Sequence, residues 1–123
     1  AHMAFSIVAE PPEKFYEWLN QQRAAALQPA NELAQHGQQI FMTSPCVMCH
    51  SIRGTDAGGT VAPDLTHLMS RKTIAAATLT NTREHLAAWI TNSQEIKPGN
   101  HMPPVPLSPE DLQALLAYLE GLK

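Results

Sequence analysis

The sequence is short of aromatic side chains, runs of one charge, strand signals and cysteine, and each shortage narrows what it can be. Aromatics make up 6% of the 123 residues. That is a thin supply of large core side chains for a domain that must bury most of its apolar surface. An apolar total of 44% leaves room for a bulky apolar cofactor to fill the gap. Charged residues amount to 15%, with a net charge of -3. With no basic run and no basic-aromatic stripe, nothing suggests nucleic acid as a partner. No apolar run approaches the roughly 20 residues needed to cross a bilayer, and no signal peptide is visible. Ala1-His2-Met3 resembles the scar of an expression tag and is excluded from fold reasoning. The length suits one domain with a short arm.

Strand signals are equally sparse. The only β-like run is Phe5-Ser6-Ile7-Val8, and no alternating partner follows it. Helix signals are better. "EPPEKFYEWLNQQRAAALQP" carries Pro11 and Pro12 at its start, with acidic Glu13 in the first turn and Phe15, Trp18, Leu19 and Gln22 on one face. Pro29 is expected to end it. A second helix is expected from Asn31, as N-cap, to Phe41, with Leu33, Gly37, Ile40 and Phe41 on its apolar or small face. A glycine inside a helix costs about 1 kcal/mol against alanine, so Gly37 points to close backbone contact. Residues 44–81 read as loop rich in Gly, Thr, Pro and Ser, long enough to imply a function or a wrapped cofactor. "NTREHLAAWITNS" reads as a helix capped by Asn81, with Leu86, Trp89 and Ile90 on one face. "KPGNHMPPVPL" has too many prolines for helix or central strand. "SPEDLQALLAYLEGLK" is the clearest helix: Ser108 caps, Pro109 takes the first position, and Leu112, Leu115, Leu116 and Leu119 make the stripe. The fold class is small and all-α.

The chain has two cysteines, Cys46 and Cys49, with His50 directly after. A redox dithiol needs this spacing at a helix start after a strand, and no strand precedes Pro45. A structural zinc site needs four ligands, usually as two pairs, and the remaining histidines lack ligand spacing. A disulfide across so short a loop would be strained and would leave His50 unexplained. Cys-x-x-Cys-His is the attachment signature of a c-type haem. The two thiols, one helical turn apart, match the separation of the porphyrin vinyl groups, and the histidine is carried under the iron as an axial ligand. One covalent haem c is the cofactor this reading expects.

The second axial position decides between an open site for ligands and a filled one for electron transfer. Met48 lies inside the attachment loop, Met42 belongs to the preceding helix and Met69 follows soon after the proximal side. Met102 sits far from His50, in a loop stiffened by Pro98, Pro103 and Pro104, as a weak thioether ligand requires. Met102 is therefore the expected ligand, against its commoner fate as a core filler, and His101 is the rival. The metal ligands expected are His50 and Met102.

Over roughly residues 33–123 these motifs resemble the class I cytochrome c family, and the domain itself is read as residues 31–123. "HGQQIF" and "LLAYLEGL" are similar to that family's packed terminal helices, where Gly37 and Phe41 would meet Leu115 and Tyr118. The resemblance implies that the carbonyl of Pro63, in "APDL", accepts a hydrogen bond from His50 Nδ1. It also implies that Arg71, in "SRKT", lies near a haem propionate and that Trp89 sits beside the haem on the methionine side. Val61, Pro104 and Val105 are expected around an exposed haem edge.

From "APDL" to "HMPP" the chain also resembles the haem domain at the end of cytochrome c oxidase subunit II in caa-type oxidases. "VAEPPEKFYEWLNQQ" resembles the last strand and helix of that subunit's copper (CuA) cupredoxin domain, so residues 4–30 are read as its end plus a linker helix. No copper motif remains. The implied role is an electron-transfer domain, not an enzyme on its own. It would take an electron from a respiratory donor (a cytochrome c, a high-potential iron-sulfur protein or a quinol-oxidising complex) and pass it to CuA. The resemblance places the whole subunit, membrane-anchored, on the outer face of a bacterial cytoplasmic membrane, while the piece itself would be soluble and monomeric.

Overall fold

The computed structural model describes residues 5–123; the tag-like Ala1-His2-Met3 lies outside them. Among the described residues there are five helices: α1 (Pro12–Arg23), α2 (Glu32–Thr43), α3 (Cys46–Cys49), α4 (Arg83–Ile96) and α5 (Pro109–Glu120). Between α3 and α4 run a single 3-10 turn, Leu68–Ser70, and two strands of two residues, β1 (Thr73–Ile74) and β2 (Leu79–Thr80). The strands pair antiparallel, Thr73 opposite Thr80 and Ile74 opposite Leu79. Alanines 75, 76 and 77 form their connection with positive φ of 54°, 55° and 65°, a backbone region that costs an L-residue roughly 1–2 kcal/mol. Thr78 Oγ1 and Lys97 Nζ both donate to the Ala75 carbonyl, at 2.7 and 3.0 Å, and hold the turn. Among the described residues, no helix is long and apolar enough to cross a membrane.

The fold is organised by α2 crossing α5. Asn31 Oδ1 accepts the Ala34 amide at 2.9 Å and starts α2. Ser108 Oγ accepts the Asp111 amide at 3.1 Å and starts α5. The buried face of α2 is Ala34, Gly37 and Phe41. A β-carbon on Gly37 would stand 1.9 Å from the Ala114 carbonyl oxygen and 2.9 Å from Tyr118 Cβ. The glycine is there because the two backbones touch. Phe41 and Tyr118 close the crossing edge to face, ring centroids 6.1 Å apart. Leu33 was expected on this face but is exposed, because a crossing centred on Gly37 turns position 33 outward. Leu115, Leu116, Leu119 and Leu122 continue the core toward Ile52, Leu68, Leu86 and Ile90. The 3-10 turn is tied to the C-terminal end by the Met69 amide donating to Leu122 O at 2.8 Å.

Two helix ends differ from the sequence expectation for physical reasons. α1 stops at Arg23, well before Pro29, with Ala24 extended. The guanidinium of Arg53 donates to Gln22 O at 2.6 Å and Arg23 O at 3.3 Å, taking up carbonyls a continuing helix would use. α4 is capped by Thr82, whose Oγ1 accepts the His85 amide, and not by Asn81. The Asn81 amide is engaged instead by Leu68 O and Arg71 O at 2.8 and 3.0 Å. Phe5-Ser6-Ile7-Val8 forms no strand, and no residue of α1 is buried. Val105 is buried in the core, so only Val61 and Pro104 of the three residues expected around a haem edge are exposed.

Substituting Gly37 by alanine forces the helices apart at their closest point. Overpacking of this kind costs typically 1–3 kcal/mol. A loss at or above the upper end is expected for Gly37→Ala, read as the shift of the denaturant midpoint at unchanged slope.

Candidate haem site

Cys46 and Cys49 open and close α3, one helical turn, and the His50 amide completes the turn by donating to Cys46 O at 2.9 Å. Both sulfurs therefore leave the backbone on neighbouring positions of one turn. They are free thiols and half-buried. Burial pushes the Cys46 thiol up, a backbone hydrogen bond opposes this, and the nearby Cys49 adds to the rise. No group of three or more His, Cys, Asp or Glu converges among the described residues.

His50 Nδ1 lies 2.7 Å from the Pro63 carbonyl oxygen. A carbonyl only accepts, so Nδ1 carries the proton and Nε2 presents its lone pair. The Pro63 segment is itself stitched to the attachment turn. Gly59 N donates to His50 O at 3.2 Å, Ala62 N to Cys49 O at 2.9 Å and Leu65 N to Ser51 O at 2.8 Å. Gly59 fits this seam because it lacks a side chain: a β-carbon there would be 2.5 Å from Cys49 C and 2.7 Å from His50 N. Beyond Pro63, Asp64 Oδ1 accepts the Thr66 amide at 2.7 Å, and Arg71, exposed, donates to Asp64 O.

Met102 is half-buried against the core cluster, as is Trp89. Its loop is clamped by hydrogen bonds as well as by prolines. Met102 O accepts from Ser93 Oγ at 2.6 Å and from Gln94 Nε2 at 3.0 Å, while Met102 N donates to Asn100 Oδ1 at 2.8 Å. Asn100 Nδ2 in turn donates to Ser93 O and Lys97 O at 2.9 and 2.8 Å. Ser93 follows directly on a kink in α4 at Asn92 (φ -149°, ψ 57°) and is fully buried. Of the other candidates, Met48 and His101 are exposed, and Met42 and Met69 are half-buried against the core. Sequence reasoning missed Gly59, Ser93, Gln94 and Asn100. Only Asn100 carried a signal, as part of a Pro-Gly-Asn turn in which Gly99 has φ of 80°.

Two thiols on one turn, an imidazole with its tautomer set and a thioether on a pinned loop are a donor set of imidazole and soft sulfur that suits an iron porphyrin. The residues present fit such a group. The fold and this set define a small helical haem-binding domain. The family model for cytochrome c matches residues 34–123, and the chain belongs to the cytochrome c family.

Relatives sharpen the placement. The whole chain is 38% identical to part of cytochrome c oxidase subunit 2 of Alkalihalophilus pseudofirmus, covering 35% of that protein, its C-terminal part. It is 29% identical to part of cytochrome c oxidase subunit 2 of Bacillus subtilis, covering 36% of it. Cytochrome c-551 of Stutzerimonas stutzeri is 33% identical over 101 residues, 81% of this chain and 88% of that protein. The chain thus spans about a third of the length of its oxidase relatives.

Asp64 makes the site's support sensitive to acid. Partial burial raises its carboxyl, but the Thr66 hydroxyl and amide, with Arg53 and Arg71, outweigh burial and hold it below the usual range. A carboxyl lower in the folded state adds stability above its unfolded value, about 3.9, and that stability is lost as pH falls through the folded value. Asp64→Asn is therefore expected to lower the melting temperature at pH 7, with the gap closing below about pH 4. Melts across pH 2 to 7 check this, and a gap that does not change with pH would contradict it.

Proposed function

We propose that this chain is the electron-transfer domain of a cytochrome c oxidase subunit 2, carrying one haem c joined to Cys46 and Cys49 with His50 and Met102 as axial ligands. When bound, the haem supplies a one-electron ferric/ferrous couple whose potential is raised by a thioether ligand. The observation that carries the reading is the pairing of an imidazole oriented by Pro63 O with a methionine loop held independently of any ligand bond.

The two supports do different work. With its Nδ1–H engaged by Pro63 O, the His50 ring has one tautomer and one orientation. With Met102 O held by Ser93 and Gln94, the weak thioether bond does not have to order the loop. Both groups are then in place before and after electron transfer, which keeps reorganisation small. Arg71 stands next to the Pro63–Asp64 segment and would supply a cation to a propionate. Trp89, on the buried side of α4, would pack beside the ring on the methionine side.

In this reading residues 4–30 are the end of a CuA cupredoxin domain and its linker helix, and residues 31–123 are the carrier. The electron comes from a respiratory donor (a cytochrome c, a high-potential iron-sulfur protein or a quinol-oxidising complex) and goes to CuA of the same subunit. The net charge of -3 favours a basic or apolar donor surface, with small transient contacts. The subunit would sit membrane-anchored on the outer face of the cytoplasmic membrane, where haem is attached to such motifs.

The oxidised protein is expected to show the weak far-red band of methionine bonded to ferric iron, and Met102→Ala to abolish it. A band absent from the wild type, or present in the variant, overturns the ligand assignment. In stopped flow, the reduced domain is expected to be re-oxidised by a CuA fragment. No re-oxidation at any ionic strength would sink the oxidase role while leaving the ligand set intact.

A further inference from the structure

The segment joining α1 to the rest of the chain, "AAALQPAN", has the composition of a loose tether, yet its first three residues are gripped from several sides. Arg53, three residues after His50, forks its guanidinium onto Gln22 O and Arg23 O at 2.6 and 3.3 Å. The last carbonyls of a helix are unpaired and carry partial negative charge, so a cation with a planar fork is well matched to them. The Arg53 carbonyl accepts the Ala26 amide at 2.9 Å. Next door, Gly54 (φ 89°) leaves room for Ala25, whose Cβ would stand 2.9 Å from a β-carbon at position 54. His67 Nε2 faces Ala24 O at 3.2 Å, while its Nδ1 donates to Lys123 O at 2.7 Å. Arg53 is itself pinned. Its amide donates to the buried Thr66 Oγ1 at 2.9 Å, and its Nε lies 3.7 Å from Asp64 Oδ2.

We infer that Arg53 is a positioning residue that locks α1 onto the His50-bearing loop. α1 and the haem site then move as one body, and whatever polypeptide precedes α1 is held at a set orientation to the haem. The use of this lock rests on the electron-transfer reading, because a preceding redox centre would face the haem at a constant distance; the lock itself is independent of that reading. α1 has no buried residue of its own to hold it in place, so the anchor must come from its C-terminal end.

The test is backbone nitrogen relaxation on the reduced, haem-loaded 123-residue protein. In the wild type, order parameters across residues 13–23 of α1 are expected to match those of α2, about 0.85. In Arg53→Ala they are expected to fall below about 0.6 in α1 only, with α2 and α5 unchanged. Arg53→Lys, which keeps the charge but cannot bridge two carbonyls, is expected to lie between. A mobile α1 in the wild type overturns the inference, as does an α1 equally rigid in Arg53→Ala. If Arg53→Ala does not fold, an Arg53→Lys protein indistinguishable from wild type overturns it too. A far-red band absent from the wild type, or surviving in Met102→Ala, overturns the ligand assignment without changing these readouts, so the two proposals fail separately.

Discussion

One acceptor, the carbonyl oxygen of Pro63, decides which nitrogen of His50 is free, and much of residues 44–81 is arranged to keep that oxygen where it is. Three backbone bonds sew residues 59–65 onto residues 49–51. A missing side chain at Gly59 lets the two strands of the seam meet. Thr66 and Arg71 then hold Asp64, the next residue along. These contacts are mostly main chain to main chain. A long loop with little regular structure can be ordered this way, because its polar backbone groups find partners in each other instead of in regular elements.

The loop that carries Met102 is built on a different plan. There the order comes from a helix that breaks. At Asn92 α4 leaves helical geometry, and the side chains of Ser93 and Gln94 that follow bond to the Met102 carbonyl. Asn100 returns one bond to Ser93 of α4 and one to Lys97 just beyond it, and accepts one from Met102. The methionine loop is thereby attached to the core through α4, while the histidine loop is attached through its own backbone. The two loops are thus held by separate sets of bonds, neither of which depends on the other.

Much of this was legible in advance where the determinants are local. Ser108, Pro109 and the leucine stripe are all within α5, and that helix has the expected start. Asn31 caps α2 as its position suggested. The expectations that failed depended on residues distant in sequence. Pro29 was the nearest helix breaker to α1, but Arg53 acts earlier on the chain. Asn81 and Thr82 can both cap, and the choice fell to Thr82 because Leu68 O and Arg71 O engage Asn81. Leu33 has the apolar character of a core residue, but its burial depended on where α5 crosses. The short β1–β2 pair has two residues per strand, too few for any alternation to register. Cys46, Cys49 and His50 could be found because their chemistry lies in contiguous positions. Ser93 and Gln94 could not, because a hydroxyl and an amide in a helix look the same whether they face water or a loop.

The contact of Gly37 with Ala114 also bears on the order in which the chain can become a protein. The two positions lie roughly 77 residues apart, and bringing such ends together costs about 4 kcal/mol of chain entropy beyond a constant. Nothing in α2 can replace its partner, since the crossing is matched to one backbone. A chain still being synthesised has therefore completed α2 and residues 46–50 before α5 exists to complete the crossing. Until α5 is made, Gly37 has no partner backbone to meet, and the part of the core built from Leu115, Leu116, Leu119 and Leu122 does not exist.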